Sequence, residues 1–268
     1  MAKIVMVDGA LNEFSGPYEM QARWLPALRD GLWHHNVEIA DADVGVCFYG
    51  DLFRQEPGWE TERRLKPSWV NVAESITNLA GSDMIAALGK ALSDAAYERV
   101  AGMVTIIAAT PELRARIQKR IRTRIETLVG DDTRVIIAHS LGSLFTYSVL
   151  CNHPYWRVRM FVTLGSPLAS PLMSQSIEPS PVDGKGQWPG VIERWVNVRA
   201  VGDKATLIGL REKFGDRVEE VFIDNGHCGH DPAAYLNSPA TGAAIADALA
   251  DKGFADWHRQ MQEQSMPG

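Results

Sequence analysis

Short apolar runs alternate with longer amphipathic stretches along this chain of 268 residues. That alternation is typical of α/β proteins, in which helices cover a parallel sheet. The apolar runs predict six strands, at residues 4–7, 44–49, 134–138, 160–164, 194–198 and 217–223. We therefore expect an α/β fold with a mostly parallel central sheet and helices on both faces.

The amphipathic stretches predict the helices between these strands. Helices are expected at residues 18–32, 141–150 and 241–249, and the stretch 70–128 is expected to be mostly helical. No repeat, low-complexity segment or linker marks a boundary, so the chain is predicted to form one domain over residues 1–268. Within it, residues 54–100 are a candidate helical cap over the sheet.

Composition and charge exclude several classes of partner. The net charge of −6 provides no electrostatic attraction for nucleic acid. No segment approaches the ~20 apolar residues of a membrane span, and the apolar stretch of about four residues before Asp8 is too short for a signal peptide.

The three cysteines are widely spaced and form no Cys-x-x-Cys pair, which favours a reducing compartment over a disulfide framework or structural zinc. We expect a cytoplasmic protein that needs no metal.

The run Ala138-His139-Ser140-Leu141-Gly142 lies between a predicted strand and a predicted helix. It approximates the pattern G-x-S-x-G, in which a sharp turn exposes a serine nucleophile and the residues two positions away must be small. The positive end of the following helix would favour a developing oxyanion. Ser140 is therefore the candidate nucleophile rather than a helix N-cap. The His139 side chain is expected to point away from it.

A serine hydroxyl needs an adjacent base, and the base needs an acid that holds its tautomer. Asp203 follows the fifth predicted strand by a short loop, which is a suitable place for the acid. His227 and His230 follow the sixth strand, and their spacing alone does not decide which is the base. Together with Cys228 and Asp224 they also have metal-ligand chemistry, but at a spacing that differs from known zinc motifs.

Acyl transfer also needs two hydrogen-bond donors for the oxygen anion that develops. The backbone N–H of Leu141, directly after the candidate nucleophile, is the expected first donor. The second is expected in the loop after the first strand, where Gly9 permits close backbone approach. The candidates there are the N–H groups of Ala10 and Leu11.

Six separated segments carry a resemblance to a known family: residues 8–12 (DGALN), 49–53 (YGDLF), 138–143 (AHSLGS), 163–168 (TLGSPL), 195–198 with 202–203 (WVNV, GD) and 230–231 with 235–236 (HD, YL). In this order the segments resemble bacterial α/β-hydrolases related to lipases and to esterases similar to GPI inositol-deacylase. The resemblance implies an α/β-hydrolase fold. It also implies a serine hydrolase that cleaves a carboxylic ester or thioester of a small-molecule acyl substrate through a Ser-His-Asp triad and an acyl-enzyme, with no cofactor.

The resemblance also separates the two histidines. In similar proteins the base lies in a His-Asp-x-x-x-Tyr-Leu setting, which His230 matches and His227 does not. The resemblance therefore implies His230 as the base, with His227 in reserve. Asp203 matches the acid of the family in a Gly-Asp pair.

The chain departs from the family at the end of the first strand. Similar proteins usually carry His-Gly there, whereas this chain has Asp8-Gly9. An ionised acid beside an oxyanion would repel it. Asp8 is therefore expected to be turned away, to be hydrogen-bonded locally, or to form part of a specialised substrate site.

Two other functions fit the same residues. An acyltransferase or thioesterase would use the same triad on a carrier-bound acyl group, and transfer to an added alcohol or amine would identify it. A non-catalytic binding protein would keep the fold without the chemistry, and the departure at Asp8 is the main feature in its favour.

Overall fold

The computed structural model describes most of the predicted elements. It covers residues 2–9, 12–53, 111–170, 177–203, 206, 208–226 and 228–250, with the backbone alone over 111–114. The candidate cap at residues 54–100 lies outside the described residues, and so does most of the stretch predicted to be helical before residue 111.

Six strands form one sheet in which every neighbouring pair is parallel. The strands are β1 (Ile4–Val7), β2 (Val44–Cys47), β3 (Val135–His139), β4 (Val158–Leu164), β5 (Ile192–Ala200) and β6 (Val218–Ile223). They lie in the order β2-β1-β3-β4-β5-β6. Each predicted strand is confirmed, with ends that differ by at most two residues from those expected.

Helices connect and cover these strands. They are α1 (Pro17–Trp33), α2 (Pro111–Glu126), α3 (Gly142–Asn152), α4 (Arg211–Phe214), α5 (Pro232–Leu236) and α6 (Pro239–Leu249). The sequence did not predict α4 and α5, because segments of four or five residues are too short to show a helical period. Among the helices of the described residues, none combines the length and apolar character needed to cross a membrane.

Alternate residues of β1 face opposite sides of the sheet. Val5 and Val7 pack with apolar side chains of α2 and α3, whereas Ile4 and Met6 pack with those of α1, α5 and α6. All four residues are fully buried. Burial on both faces explains why the strands of this sheet are continuous apolar runs, and it confirms the predicted helices on both faces.

The path of the chain defines where a site can form. It runs from β1 outward to β2 and then returns to β3 on the other side of β1, so a topological switch lies between β1 and β3. Ligands of open parallel sheets bind at such a switch, outside the carboxyl ends of the strands. Asp8 and Ser140 directly follow β1 and β3, and the loops after β5 and β6 begin at the same edge.

Candidate active site

Ser140 occupies a strained turn between β3 and α3. Its φ is 50°, in the left-handed region that residues other than glycine rarely adopt. Its N–H donates to the Leu164 carbonyl at 2.9 Å, and its own carbonyl accepts from the Ser143 hydroxyl at 2.6 Å. A backbone carbonyl and a side-chain hydroxyl thus hold the turn, and the serine stands at the N-terminal end of α3, where the helix dipole is positive.

His230 lies between Ser140 and Asp203. Its Nε2 is 2.7 Å from the Ser140 Oγ, and its Nδ1 is 2.7 Å from the Asp203 Oδ2. Because an ionised carboxylate can only accept, Nδ1 carries the proton and Nε2 presents a lone pair to the hydroxyl. The Asp203 side chain is 2% exposed, whereas that of His230 is 36% exposed. The structure therefore brings together the three residues predicted as nucleophile, base and acid.

Tyr235 supports the carboxylate from the other side. Its hydroxyl donates to the same Asp203 Oδ2, and its side chain is fully buried. Burial, and then the nearby Asp203, raise the pKa of Tyr235 above its ordinary value, so the phenol keeps the proton that it donates. In the sequence, Tyr235 belongs to the His-Asp-x-x-x-Tyr-Leu motif, but no role was predicted for it. Its position on α5, five residues after His230, was the available signal.

Gly165 leaves room for the His230 imidazole at the end of β4. Its φ is 57°, and a Cβ there would lie 2.8 Å from the His230 Cε1 and 3.2 Å from the Asp203 Oδ2. Any side chain would therefore displace the imidazole as well as strain the backbone. In the sequence, this glycine was part of the segment 163–168, and no role was predicted for it.

The His139 side chain contacts His230. It is buried, its Nε2 lies 3.0 Å from the His230 carbonyl oxygen, and the two ring centroids are 4.5 Å apart. From the sequence, we expected this side chain to point away from Ser140, and we predicted no contact for it. The contact joins residues at the carboxyl ends of β3 and β6, which lie 91 positions apart in the chain.

Asp8 is buried and bonded within its own loop. It is 1% exposed, and its Oδ1 accepts from the Gly9 N–H and from the Asn12 Nδ2, each at 2.8 Å. Among the described residues, its Oδ2 has no hydrogen-bond partner. Burial raises the pKa of Asp8 to about 7, although the bonds from Gly9 and Asn12 act in the opposite direction. Of the three placements expected for Asp8, these contacts favour local hydrogen bonding.

The raised pKa makes Asp8 a source of pH-dependent stability. Its ordinary value is 3.8, so the unfolded chain loses this proton near pH 4 while the native protein keeps it to about pH 7. The native state binds more protons in that window, and stability therefore falls as the pH rises through it, by at most about 4 kcal/mol from this group. We expect Asp8→Asn to remove that part of the decline.

Urea denaturation at several pH values between about 4 and 8 measures this effect. Asp224→Asn is the matched control, because Asp224 is exposed and accepts a similar local bond from the Gly226 N–H at 2.8 Å. The control should keep the wild-type dependence on pH. An Asp8→Asn protein whose stability falls as steeply as that of the wild type would refute the assignment.

Of the candidate donors to an oxyanion, only Leu141 lies among the residues that the structure describes. Leu141 directly precedes α3, and the N–H groups in the first turn of a helix have no partner inside it. The Gly9 N–H donates to Asp8 and so is not the second donor. The candidate donors Ala10 and Leu11 lie outside the described residues, as does the reserve base His227, and their roles stay predictions.

Similarity to known proteins does not assign a function to this site, so the assignment depends on the geometry of the site. Within the part of the chain that the structure describes, no group of three or more His, Cys, Asp or Glu side chains is arranged to hold a metal ion. Known protein families include none whose model matches this chain, and a search of curated proteins finds no match either. The function is therefore inferred from Ser140, His230, Asp203 and the residues that hold them.

Proposed function

We propose that this protein is a serine hydrolase of the α/β-hydrolase class that cleaves a carboxylic ester or thioester of a small acyl substrate. The observation that carries the proposal is the hydrogen-bonded chain from the Ser140 Oγ through His230 to the buried Asp203, built on a strained strand-to-helix turn. Nucleophile, base and orienting acid within hydrogen-bond reach are the requirements for activating a serine hydroxyl.

In the first half of the reaction, Ser140 becomes acylated. Its Oγ attacks the carbonyl carbon while its proton passes to the His230 Nε2, and the Asp203 carboxylate stabilises the imidazolium that forms. The Leu141 N–H, at the positive end of α3, stabilises the oxygen anion. The bond to the leaving alcohol or thiol then breaks, and the leaving group takes the proton from His230.

In the second half, water releases the acyl group. His230 removes a proton from a water molecule, whose oxygen attacks the acyl carbon and forms a second tetrahedral intermediate. The ester bond to Ser140 then breaks, and the Ser140 oxygen regains its proton from His230. The products are a carboxylic acid and the free enzyme.

A fluorophosphonate probe tests the proposal directly, because it phosphonylates an activated serine oxygen and forms a stable bond. We expect the full-length protein to gain one probe, located on the peptide that contains Ser140. Ser140→Ala should abolish labelling and hydrolysis of p-nitrophenyl esters. Ser148→Ala is the matched control, because Ser148 lies on the same helix α3 and accepts the bond from the Asn152 Nδ2 with its backbone carbonyl, which the substitution keeps.

Two results would overturn the proposal. One is a wild-type protein that is neither labelled nor able to hydrolyse esters, as a non-catalytic binding protein would be. The other is labelling that survives in Ser140→Ala.

For a protein that is labelled at Ser140, a series of p-nitrophenyl esters with short to long acyl chains would define the acyl preference. An added alcohol would reveal transfer in place of hydrolysis.

A further inference from the structure

We infer that His139 is a positioning residue for His230: its Nε2–H fixes the backbone of the base while its ring covers one face of the base. This inference rests on the function proposed for Ser140, His230 and Asp203. The consecutive residues His139 and Ser140 then hold one and the same histidine, the first by its carbonyl oxygen at 3.0 Å and the second by its Nε2 at 2.7 Å.

The chemistry of the partner decides the tautomer of His139. A carbonyl oxygen can only accept a hydrogen bond, so the Nε2 that lies 3.0 Å from the His230 oxygen must carry the proton. The other nitrogen, Nδ1, is buried and has no hydrogen-bond partner in the part of the chain that the structure describes. It faces Gly9, where a Cβ would lie only 2.6 Å away. A proton on Nδ1 would place an unpaired charge in a closed space, which is strongly unfavourable.

His139 therefore stays neutral while His230 gains and loses a proton. Burial, and then the neighbouring His230, hold the pKa of His139 well below its ordinary value of 6.5. The ring is enclosed by the edge of Trp24, with centroids 5.9 Å apart, and by Tyr235 at 6.3 Å. A neutral, enclosed donor can hold the His230 backbone without competing for the proton that the reaction moves.

The loop that carries His230 needs this anchor. On its far side, the next residue Asp231 caps α5, accepting from the Ala233 N–H at 2.9 Å, and it pairs with Arg23 at 2.8 Å. On its near side, Asn225 donates to the Gly229 carbonyl within the loop. The bond from His139 ties this loop to the end of β3, the strand that leads into Ser140. It therefore sets the position of the base relative to Ser140.

Two substitutions separate the donor from the ring. His139→Phe keeps an aromatic ring but removes the donor, whereas His139→Gln keeps an amide N–H of similar reach but removes the ring. A displacement of about 1 Å in a catalytic group can cost about 100-fold in rate. We expect His139→Phe to lower kcat for a p-nitrophenyl ester by about 10- to 100-fold with KM within about twofold, and His139→Gln to recover part of that loss.

His153→Phe is the matched control, because His153 stacks on Trp156 and bonds to Glu126, away from the site. It should keep the kcat of the wild type. A His139→Phe enzyme that retains kcat within about threefold of the wild type would overturn the inference. A larger loss in His139→Gln than in His139→Phe would overturn it as well, because packing of the ring rather than the hydrogen bond would then account for the effect.

A measurement on the unaltered protein covers the case in which the variants do not fold. Nitrogen NMR of histidine-labelled protein should show His139 protonated at Nε2 alone at pH 6.5, the ordinary pKa of histidine. A protonated Nδ1 at that pH would overturn the inference. The NMR result does not depend on turnover, so a wild-type protein without esterase activity would refute the proposed function and leave the tautomer to be judged separately.

Discussion

Replacing Asp203 by Asn is expected to lower kcat for ester hydrolysis by about 10⁴-fold, the scale seen when the orienting acid of a serine triad is neutralised. Oδ2 of Asp203 accepts from the His230 Nδ1 at 2.7 Å and from the Tyr235 hydroxyl. An amide cannot act as a charged acceptor for both donors. It therefore no longer fixes the imidazole tautomer or stabilises the imidazolium.

The size of the loss follows from the burial of the carboxylate. With 2% of the Asp203 side chain exposed, little water can replace the missing charge. Tyr235→Phe removes one of the two hydrogen bonds and keeps the charge, so its loss of kcat should be much smaller. The order of activity is then wild type, Tyr235→Phe and Asp203→Asn, measured as kcat with circular dichroism to check the fold.

Asp183→Asn provides the matched control for the loss of one carboxylate. Asp183 is exposed, and its φ of 50° is a backbone conformation that asparagine tolerates well. We expect this variant to keep the wild-type kcat. An Asp203→Asn enzyme that stays within about tenfold of the wild type would exclude Asp203 as the orienting acid.

Gly142→Ala is expected to destabilise the fold by roughly 2–4 kcal/mol and to abolish activity. A Cβ at this position would lie 1.9 Å from the Asp8 carbonyl oxygen and 3.2 Å from that of Val7. Both atoms belong to backbone at the end of β1, so neither can rotate away. Alanine would add about 1 kcal/mol of helix propensity, which is too little to offset a clash between α3 and the sheet.

The midpoint of urea denaturation measures the loss of stability, and fluorophosphonate labelling measures the damage to the Ser140 turn. Gly190→Ala is the matched control, because a Cβ at this exposed glycine meets nothing within 4 Å. It should denature at the wild-type midpoint. Equal midpoints for Gly142→Ala and the wild type would show that α3 does not depend on this close approach to β1.

Much of the fold could be predicted from patterns within short segments of the sequence. Strands buried on both faces must be continuous apolar runs, so β1 and β3 were visible without any knowledge of their neighbours. The turn at Ser140 was visible for a similar reason. Its geometry demands a strand, a helix and small residues within a few positions, and Gly142 supplies the small residue. The order along the chain was also enough to nominate Ser140, Asp203 and a histidine after β6, because parallel strands end at one edge. It did not separate His230 from His227, which only the resemblance to a known family did.

The contacts that surround these residues could not be predicted from the sequence. The sequence did not assign Tyr235 to the carboxylate, Gly165 to the space beside the imidazole, or His139 to the carbonyl of the base. Each of these contacts depends on which strands are neighbours. The bond between His139 and His230 joins positions 91 residues apart, and no periodicity within either segment encodes it.

By itself, then, the sequence determined the α/β elements, the strained serine turn and the set of titratable groups at the ends of the strands, because these depend on neighbours within a few positions. Only the tertiary structure decided that His230 lies against Ser140. It also decided that Asp8 is enclosed, with its carboxyl pKa raised to about 7. Burial and hydrogen bonding between distant segments arise when β1 lies beside β3 and the loops after β5 and β6 close over the same edge.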